Sequence, residues 1–462
     1  MSSSPRKILV LGSGMVAPPC LEYLSRSPRN RITLGKKHPP SHALSQNANF
    51  SKHAEPSPPR KLATNFPNIQ AISLDVTSQA DLDKHIAQHD IVISLIPYIY
   101  HVAVIKSAIK SGTNVVTTSY VSDSIRALDA ETKLAGITVL NEVGVDPGID
   151  HVYAVKRISE IHAGGGKVLE FYSYCGGLPA PECADNPLGF KFSWSPRGAL
   201  LSQRNSARFL RNGVVEEVSS NKLMASAVPY HVVDRYDFVA YANRDSVPFR
   251  EFYGIPEAHT VIRGSLRYEG NPGFVQALAN LGWLEQEKKE WLKEGMTWAE
   301  IQQKAIGASL ITRIKELARF PSAAESERII SGMKWMGLLS SEKATVKGGN
   351  LLDTLCEQLE KLMSFRPGER DLVMLQHKFV VEWEDGTMET FTSTLELLGD
   401  PNRYSAMALS VGVTCGIATQ LLIDRHPAVR KLGVHAPYTT DICDVLRERV
   451  EKEGVRVVEQ KV

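Results

Sequence analysis

Three short stretches carry residue types that ligand chemistry needs, at spacings that it uses. Gly12, Ser13, Gly14, Met15, Val16 and Ala17 form a G-x-G-x-x-A turn directly after the apolar run Lys7–Leu11. In that setting Gly12 allows a tight turn, Gly14 lets a pyrophosphate approach the backbone, and Ala17 lets the next helix pack close to the strand. Free N–H groups at the helix start would then hold the phosphate charge. The other two stretches are Thr117-Thr118-Ser119-Tyr120 and Val145-Asp146-Pro147-Gly148. They supply hydroxyls, a phenol and a carboxylate, groups that bind polar ligands and carry protons. Taken singly, Thr117 and Ser119 are what ordinary loops contain, and Asp146-Pro147-Gly148 also reads as a helix N-cap followed by proline. His85, His101 and His151 read as surface or helix-face residues.

Positioning these groups requires a regular scaffold, and the first third of the chain supplies one. Apolar, β-branched runs at 7–11, 31–35, 71–76, 90–97, 114–120 and 137–143 alternate with amphipathic helical segments. That alternation implies a parallel, doubly wound sheet covered on both faces, an α/β Rossmann-type domain over residues 1–147. All three stretches, together with Asp75 and Ile96-Pro97, then fall at carboxyl ends of strands, where such sheets bind ligands. Beyond it we expect an α+β substrate domain at 148–272 and 366–402, with strands at 167–175 and a hairpin at 377–394 turning at Asp385-Gly386. A mainly helical insertion at 273–365 has Trp283, Trp291, Trp298 and Trp335 as core anchors. Residues 403–462 read as helix and a final strand, 455–460, packing back on the first domain. Residues 38–60, rich in proline and polar side chains, read as an exposed loop beside the adenosine ribose.

Composition narrows the classes. At 462 residues the chain exceeds one compact core. A net charge of +2 argues against nucleic acid as a partner. Six scattered cysteines (Cys20, Cys175, Cys183, Cys356, Cys415, Cys443) read as thiols of a reducing compartment, with no disulfide framework and no metal site. The most membrane-like run, Ala406–Ile423, carries Ser410, Thr414, Thr419 and Gln420 and reads as a buried helix. The expectation is a cytoplasmic, soluble protein.

The blocks GSGMV, LDV, VISLIPY, VVTTSYVS, NEVGVDPGIDH, SYCGGLPAPE, KFSWSPRG, YANRDS, RGSLRY and GERDLVMLQHKF run in order through nearly the whole chain. Together they resemble the saccharopine reductases, the glutamate-forming saccharopine dehydrogenases of fungal lysine biosynthesis. The resemblance implies that glutamate condenses with 2-aminoadipate 6-semialdehyde and that NADPH reduces the imine to saccharopine, reversibly. It implies NADP contacts at Gly12, Ser13, Gly14, Met15, Val16, Asp75, Val76, Ile96, Thr117, Thr118, Val145, Asp146, Pro147 and Ser195. It implies saccharopine contacts at Ser119, Tyr120, Asp146, Arg244, Ser265, Leu266 and Arg267. Saccharopine is a tricarboxylate, so Arg244 and Arg267 are the expected clamps. Tyr120, Asp146 and Cys175 would line the reacting centre, although Cys175 is equally a packing thiol. A homodimer is expected as well.

One position departs from the family. Where an arginine in a C-R-T context usually holds the 2′-phosphate, this chain reads Leu34-Gly35-Lys36-Lys37. Lys36 or Lys37 would pair with that phosphate as a point charge, and no acidic residue stands there to select NAD. Two other readings compete: another imine-reducing relative (carboxynorspermidine or NAD-linked saccharopine dehydrogenase), or a non-catalytic nucleotide-binding regulator. The regulator should have lost Tyr120, Asp146, Arg244 and Arg267, and all four are present.

Overall fold

A computed structural model describes residues 4–36, 69–193, 195–306 and 322–462. Lys37 and the proline-rich stretch 38–60 lie outside the described residues. The amino-terminal strands are β1 (Arg6–Leu11), β2 (Asn30–Lys36), β3 (Ile69–Ser73), β4 (Ile91–Ser94), β5 (Asn114–Thr117) and β6 (Thr138–Leu140). With β16 (Gly433–His435) they form a seven-stranded parallel sheet in the order β16-β6-β5-β4-β1-β2-β3. Every residue of β4 is buried, as expected of a strand covered on both faces. The strand order reverses between β1 and β4, and the crevice at that switch point opens at the carboxyl ends.

The second sheet is mixed and ten-stranded. Its main path joins β10 (Val228–Tyr230), β11 (Phe238–Ala242), β13 (Thr260–Tyr268), β7 (Lys167–Pro179), β14 (Asp371–Glu382), β15 (Met388–Leu398) and β17 (Val458–Lys461). Strands β8 (Ala207–Arg211), β9 (Val214–Val218) and β12 (Arg244–Asp245) attach beside β13. The hairpin β14–β15 is longer than its sequence pattern showed, and it turns through Trp383–Thr387 with Gly386 at φ +82°.

The carboxy-terminal segment ties the two sheets together. Helix Ala406–Ile423 is long and apolar enough to cross a membrane, yet most of it is buried inside the protein. Its first turn is capped by Ser405 and by Asp371 of β14, which accepts from the amides of Ala406 (2.6 Å) and Met407 (2.9 Å). Strand β16, which the sequence pattern did not reveal, then extends the first sheet. The last strand falls at Val458–Lys461, not 455–460, and pairs with β15 of the second sheet.

The stretch 273–365 contributes helices Trp298–Ile306, Ala323–Trp335 and Leu351–Met363. Trp283 and Trp298 are buried there with rings 5.8 Å apart, and the Trp283 indole donates to Gln302. Trp335 corrects the expectation of a core anchor: it ends its helix 47% exposed.

Candidate functional site

The glycine turn is shaped for a phosphate. Gly12 has φ +110°, and a Cβ there would sit 2.6 Å from the Leu95 carbonyl, so only glycine lets β1 and β4 approach this closely. A Cβ at Gly14 would meet nothing within 4 Å, so that backbone lies open. The helix start differs from expectation in one respect. The Ala17 amide already donates to Gly14 (3.0 Å), and Pro18 and Pro19 have no N–H. The donors are therefore the amides of Ser13, Gly14, Met15 and Val16, which no acceptor among the described residues takes. A pyrophosphate satisfies these donors, so the turn fits a dinucleotide.

The remaining positions implied for the cofactor lie along the same sheet edge. Lys36 ends β2, Asp75 and Val76 follow β3, and half-buried Ile96 follows β4. Asp75 accepts from the amide (2.9 Å) and hydroxyl (2.7 Å) of Thr77, closing its own turn. Thr117 ends β5, buried, with half-buried Thr118 after it, and Val145 and Pro147 follow β6. The Ser195 hydroxyl accepts from the Gly198 amide (3.2 Å) and caps helix Pro196–Ser202.

Below the cofactor edge, residues distant in sequence converge. The Tyr120 hydroxyl donates to Asp146. Arg263 of β13 reaches across from the second sheet, and its Nη2 donates to Asp146 (3.0 Å), to the Tyr120 oxygen (3.2 Å) and to Asp150. Burial holds the Asp146 carboxyl above the usual carboxylate range, while the Arg263 guanidinium pulls it back down. Burial also pushes the Tyr120 phenol well up, so it is a hydrogen-bond donor at neutral pH. Gly148, at φ +147°, closes the turn: a Cβ there would lie 2.2 Å from the Gly144 carbonyl. Its amide donates to Asp150 (2.5 Å).

His101 and His151, expected as surface or helix-face residues, do lie on helices, but both are buried and hydrogen-bonded within the protein. His151 contacts Glu142 (2.8 Å) and the Tyr253 hydroxyl (2.7 Å). Glu142 also accepts from the Val121 amide (2.8 Å) and the Tyr438 hydroxyl (2.7 Å), joining the carboxy-terminal segment to the site. Burial tends to raise the Glu142 carboxyl, but its hydrogen bonds, chiefly that with His151, hold it below the ordinary value. His101 lies between Ser94 (2.8 Å), Ser119 (2.9 Å) and Thr117 (3.2 Å), and burial lowers it to about 4, so it is neutral.

The second sheet brings the arginines. Arg267 is buried, its guanidinium 5.3 Å from the Phe190 ring, and it donates to the Leu266 carbonyl (2.7 Å). Its Nε finds no acceptor, and no carboxylate among the described residues pairs with it. Arg244 is exposed, at φ +50°, with its guanidinium 5.0 Å from the Tyr120 ring. Ser265 is half-buried and accepts from Asn243 (3.1 Å), whereas the Leu266 side chain is fully in the core, leaving only its backbone for a ligand. Cys175 of β7 pairs with Ser265 across the sheet, and burial raises its thiol well above the ordinary value. It is a neutral thiol, unsuited to act as a thiolate.

Arg263, Asp150, Glu142, Tyr253 and Tyr438 escaped the sequence reading. The signal for Arg263 was a charge four residues before Arg267 in the same strand, Thr260–Tyr268, which puts both on one face of the sheet. Asp150 and Glu142 lay inside a block already noted, but their partners come from other elements.

A phosphate-ready glycine turn facing a phenol–carboxylate pair, backed by a second sheet carrying arginines, defines a two-sheet dinucleotide-dependent oxidoreductase. The family model of the saccharopine dehydrogenase NADP binding domain matches residues 8–140, and that of the saccharopine dehydrogenase C-terminal domain matches 144–455. The chain belongs to the saccharopine dehydrogenase family. Saccharopine dehydrogenase [NADP(+), L-glutamate-forming] of Saccharomyces cerevisiae is 47% identical, with 99% of each chain covered. The Schizosaccharomyces pombe protein of the same description is 46% identical over 98% of each chain. The apo structure of the Saccharomyces cerevisiae enzyme superposes with a TM-score of 0.86 at 46% identity, covering 99% of this chain and all (100%) of the other.

Proposed function

We propose that this chain condenses L-glutamate with 2-aminoadipate 6-semialdehyde and reduces the resulting imine to saccharopine with NADPH, reversibly, in lysine biosynthesis. The observation that carries this reading is Arg267, a buried guanidinium for which the described residues offer no carboxylate. A polycarboxylate ligand supplies what the fold withholds. Arg244, exposed beside the Tyr120 ring, is the second clamp. The likeness to glutamate-forming enzymes over essentially the whole chain favours this reaction over other imine reductions and over a regulator.

When bound, NADPH supplies hydride to the imine carbon. The rest falls to the chain. Arginines 244 and 267 orient the substrate by its carboxylates, so that amine and aldehyde meet in a fixed geometry. Asp146 takes in turn the two protons that the amine nitrogen sheds, and hydrogen-bonded Tyr120 passes each to the carbonyl oxygen, which leaves as water when the imine forms. Cys175, held neutral, lines the same centre. Saccharopine-dependent reduction of NADP by purified protein tests the reading, and equal or better use of NAD would overturn its cofactor part.

Exposed Trp335 on the helical insertion suits a homodimer, which sedimentation showing one 51.0 kDa species would refute. Six buried, free cysteines suit the reducing cytoplasm, to be checked by cell fractionation.

A further inference from the structure

Strand β13 is mostly buried, and it carries two arginines, Arg263 and Arg267, into the interior. A buried guanidinium is costly unless paired, and Arg263 is paired twice over. Its two carboxylates are not equivalent. The Asp150 side chain is fully buried (0% exposed), held by the Gly148 amide, whereas the Asp146 side chain is 17% exposed. Asp150 anchors the guanidinium from within, and Asp146 presents the outer face to the cleft. The Phe249 ring, 4.0 Å away, stacks on the guanidinium and keeps its plane in place. All three oxygens meet the same nitrogen, Nη2, while Nε has no acceptor among the described residues. An arginine serving only to join the two domains would be satisfied by Asp150. The added contacts go to the phenol and the carboxylate of the reacting centre.

We propose that Arg263 is a positioning residue, which holds the Asp146 carboxylate ionised and turned toward Tyr120 so that this pair can take a proton during the reaction. Among the groups around Asp146, Arg263 favours the ionised form most strongly. Asp146 faces Tyr120 from the loop after β5, Asp150 and His151 from helix Ile149–Ala163, Cys175 from β7 and His377 from β14. Asp150 disfavours ionisation of Asp146, the Tyr120 hydrogen bond and His151 favour it less than Arg263 does, and burial keeps His377 neutral. Arg244 lies over the tyrosine ring, on the solvent side. Arg263 is the fixed cation in hydrogen-bond contact with Asp146.

This rests on the proton-handling role given to Asp146 above, and the experiment separates the two. The pH dependence of kcat/KM for saccharopine is measured in wild type, Arg263→Gln and Arg263→Lys, with NADPH binding followed by fluorescence. Losing a cation at contact distance moves a carboxylate by about one to three pH units. In Arg263→Gln the acidic limb should therefore rise by about one pH unit or more and kcat should fall, with NADPH affinity unchanged. Arg263→Lys should restore most of both, because one nitrogen makes every contact. A limb that stays in place, or a uniform loss at all pH with lysine no better than glutamine, overturns the proposal. If Arg263→Gln does not fold, the double variant Arg263→Gln/Asp150→Asn removes the inner pair together and must still raise the limb, though by less, because Asp150 opposes ionisation of Asp146. Failure of both variants to fold assigns Arg263 to structure and also overturns it. Absence of saccharopine-dependent activity in wild type would instead refute the function.

Discussion

Replacing Arg267 by methionine separates a ligand-binding cation from a structural one. The guanidinium is buried, contacts the rings of Phe190 (5.3 Å) and Tyr241 (6.0 Å), and has the Leu266 carbonyl as acceptor. Its removal leaves no carboxylate unpaired among the described residues, and methionine refills most of the volume, so thermal stability should hold or rise. Substrate binding should suffer. A hydrogen bond to a charged group contributes roughly 1.5–3 kcal/mol, which is about a ten- to hundredfold change in kcat/KM. The assay is saccharopine oxidation with NADP as a function of saccharopine concentration, alongside NADPH titration by fluorescence and a melting curve. The expected result is kcat/KM reduced within that range, unchanged NADPH affinity and an unchanged Tm. Unaltered saccharopine kinetics would remove Arg267 from the site. A large drop in Tm would show that the cation has a partner the reasoning missed.

Other outcomes follow from the same geometry. Gly12→Ala places a Cβ 2.6 Å from the Leu95 carbonyl at φ +110°, and should abolish NADPH binding and lower Tm, as titration and calorimetry would show. Changing Lys36 and Lys37 to glutamate should weaken NADPH far more than NADH, and equal loss of both would refute the reading of that strand end. His101, ordinarily near 6.5, is lowered to about 4 by burial. The unfolded chain binds the proton first, so this contribution is complete above pH 6.5 and is lost as pH falls from 6.5 through 4. It amounts to about 3 kcal/mol at most. His101→Asn should flatten the acid side of a Tm–pH curve across that window, and an unchanged slope would contradict it.

The cofactor half of the molecule was legible in the sequence because its signals are local. A glycine turn between an apolar strand and a helix is read within a dozen residues, and strand alternation placed Asp75, Ile96, Thr117 and Asp146 on one sheet edge. Even so, the first helical turn supplies fewer donors than the motif implies, because prolines at 18 and 19 lack the N–H. Recurring blocks pointed to Arg244 and Arg267, but whether either cation is already neutralised depends on what folds beside it. The tertiary structure decided that no carboxylate among the described residues pairs with Arg267 and that Arg263 has two. It also decided that His101 and His151 are interior and that Trp335 is not. The carboxy-terminal segment was the least legible: β16 and β17 are short strands whose partners lie hundreds of residues earlier for one sheet and on β15 for the other. Local pattern fixes which residues can form an element and which face it buries. Pairing of charges depends on contacts between distant segments, and only the folded chain brings those together.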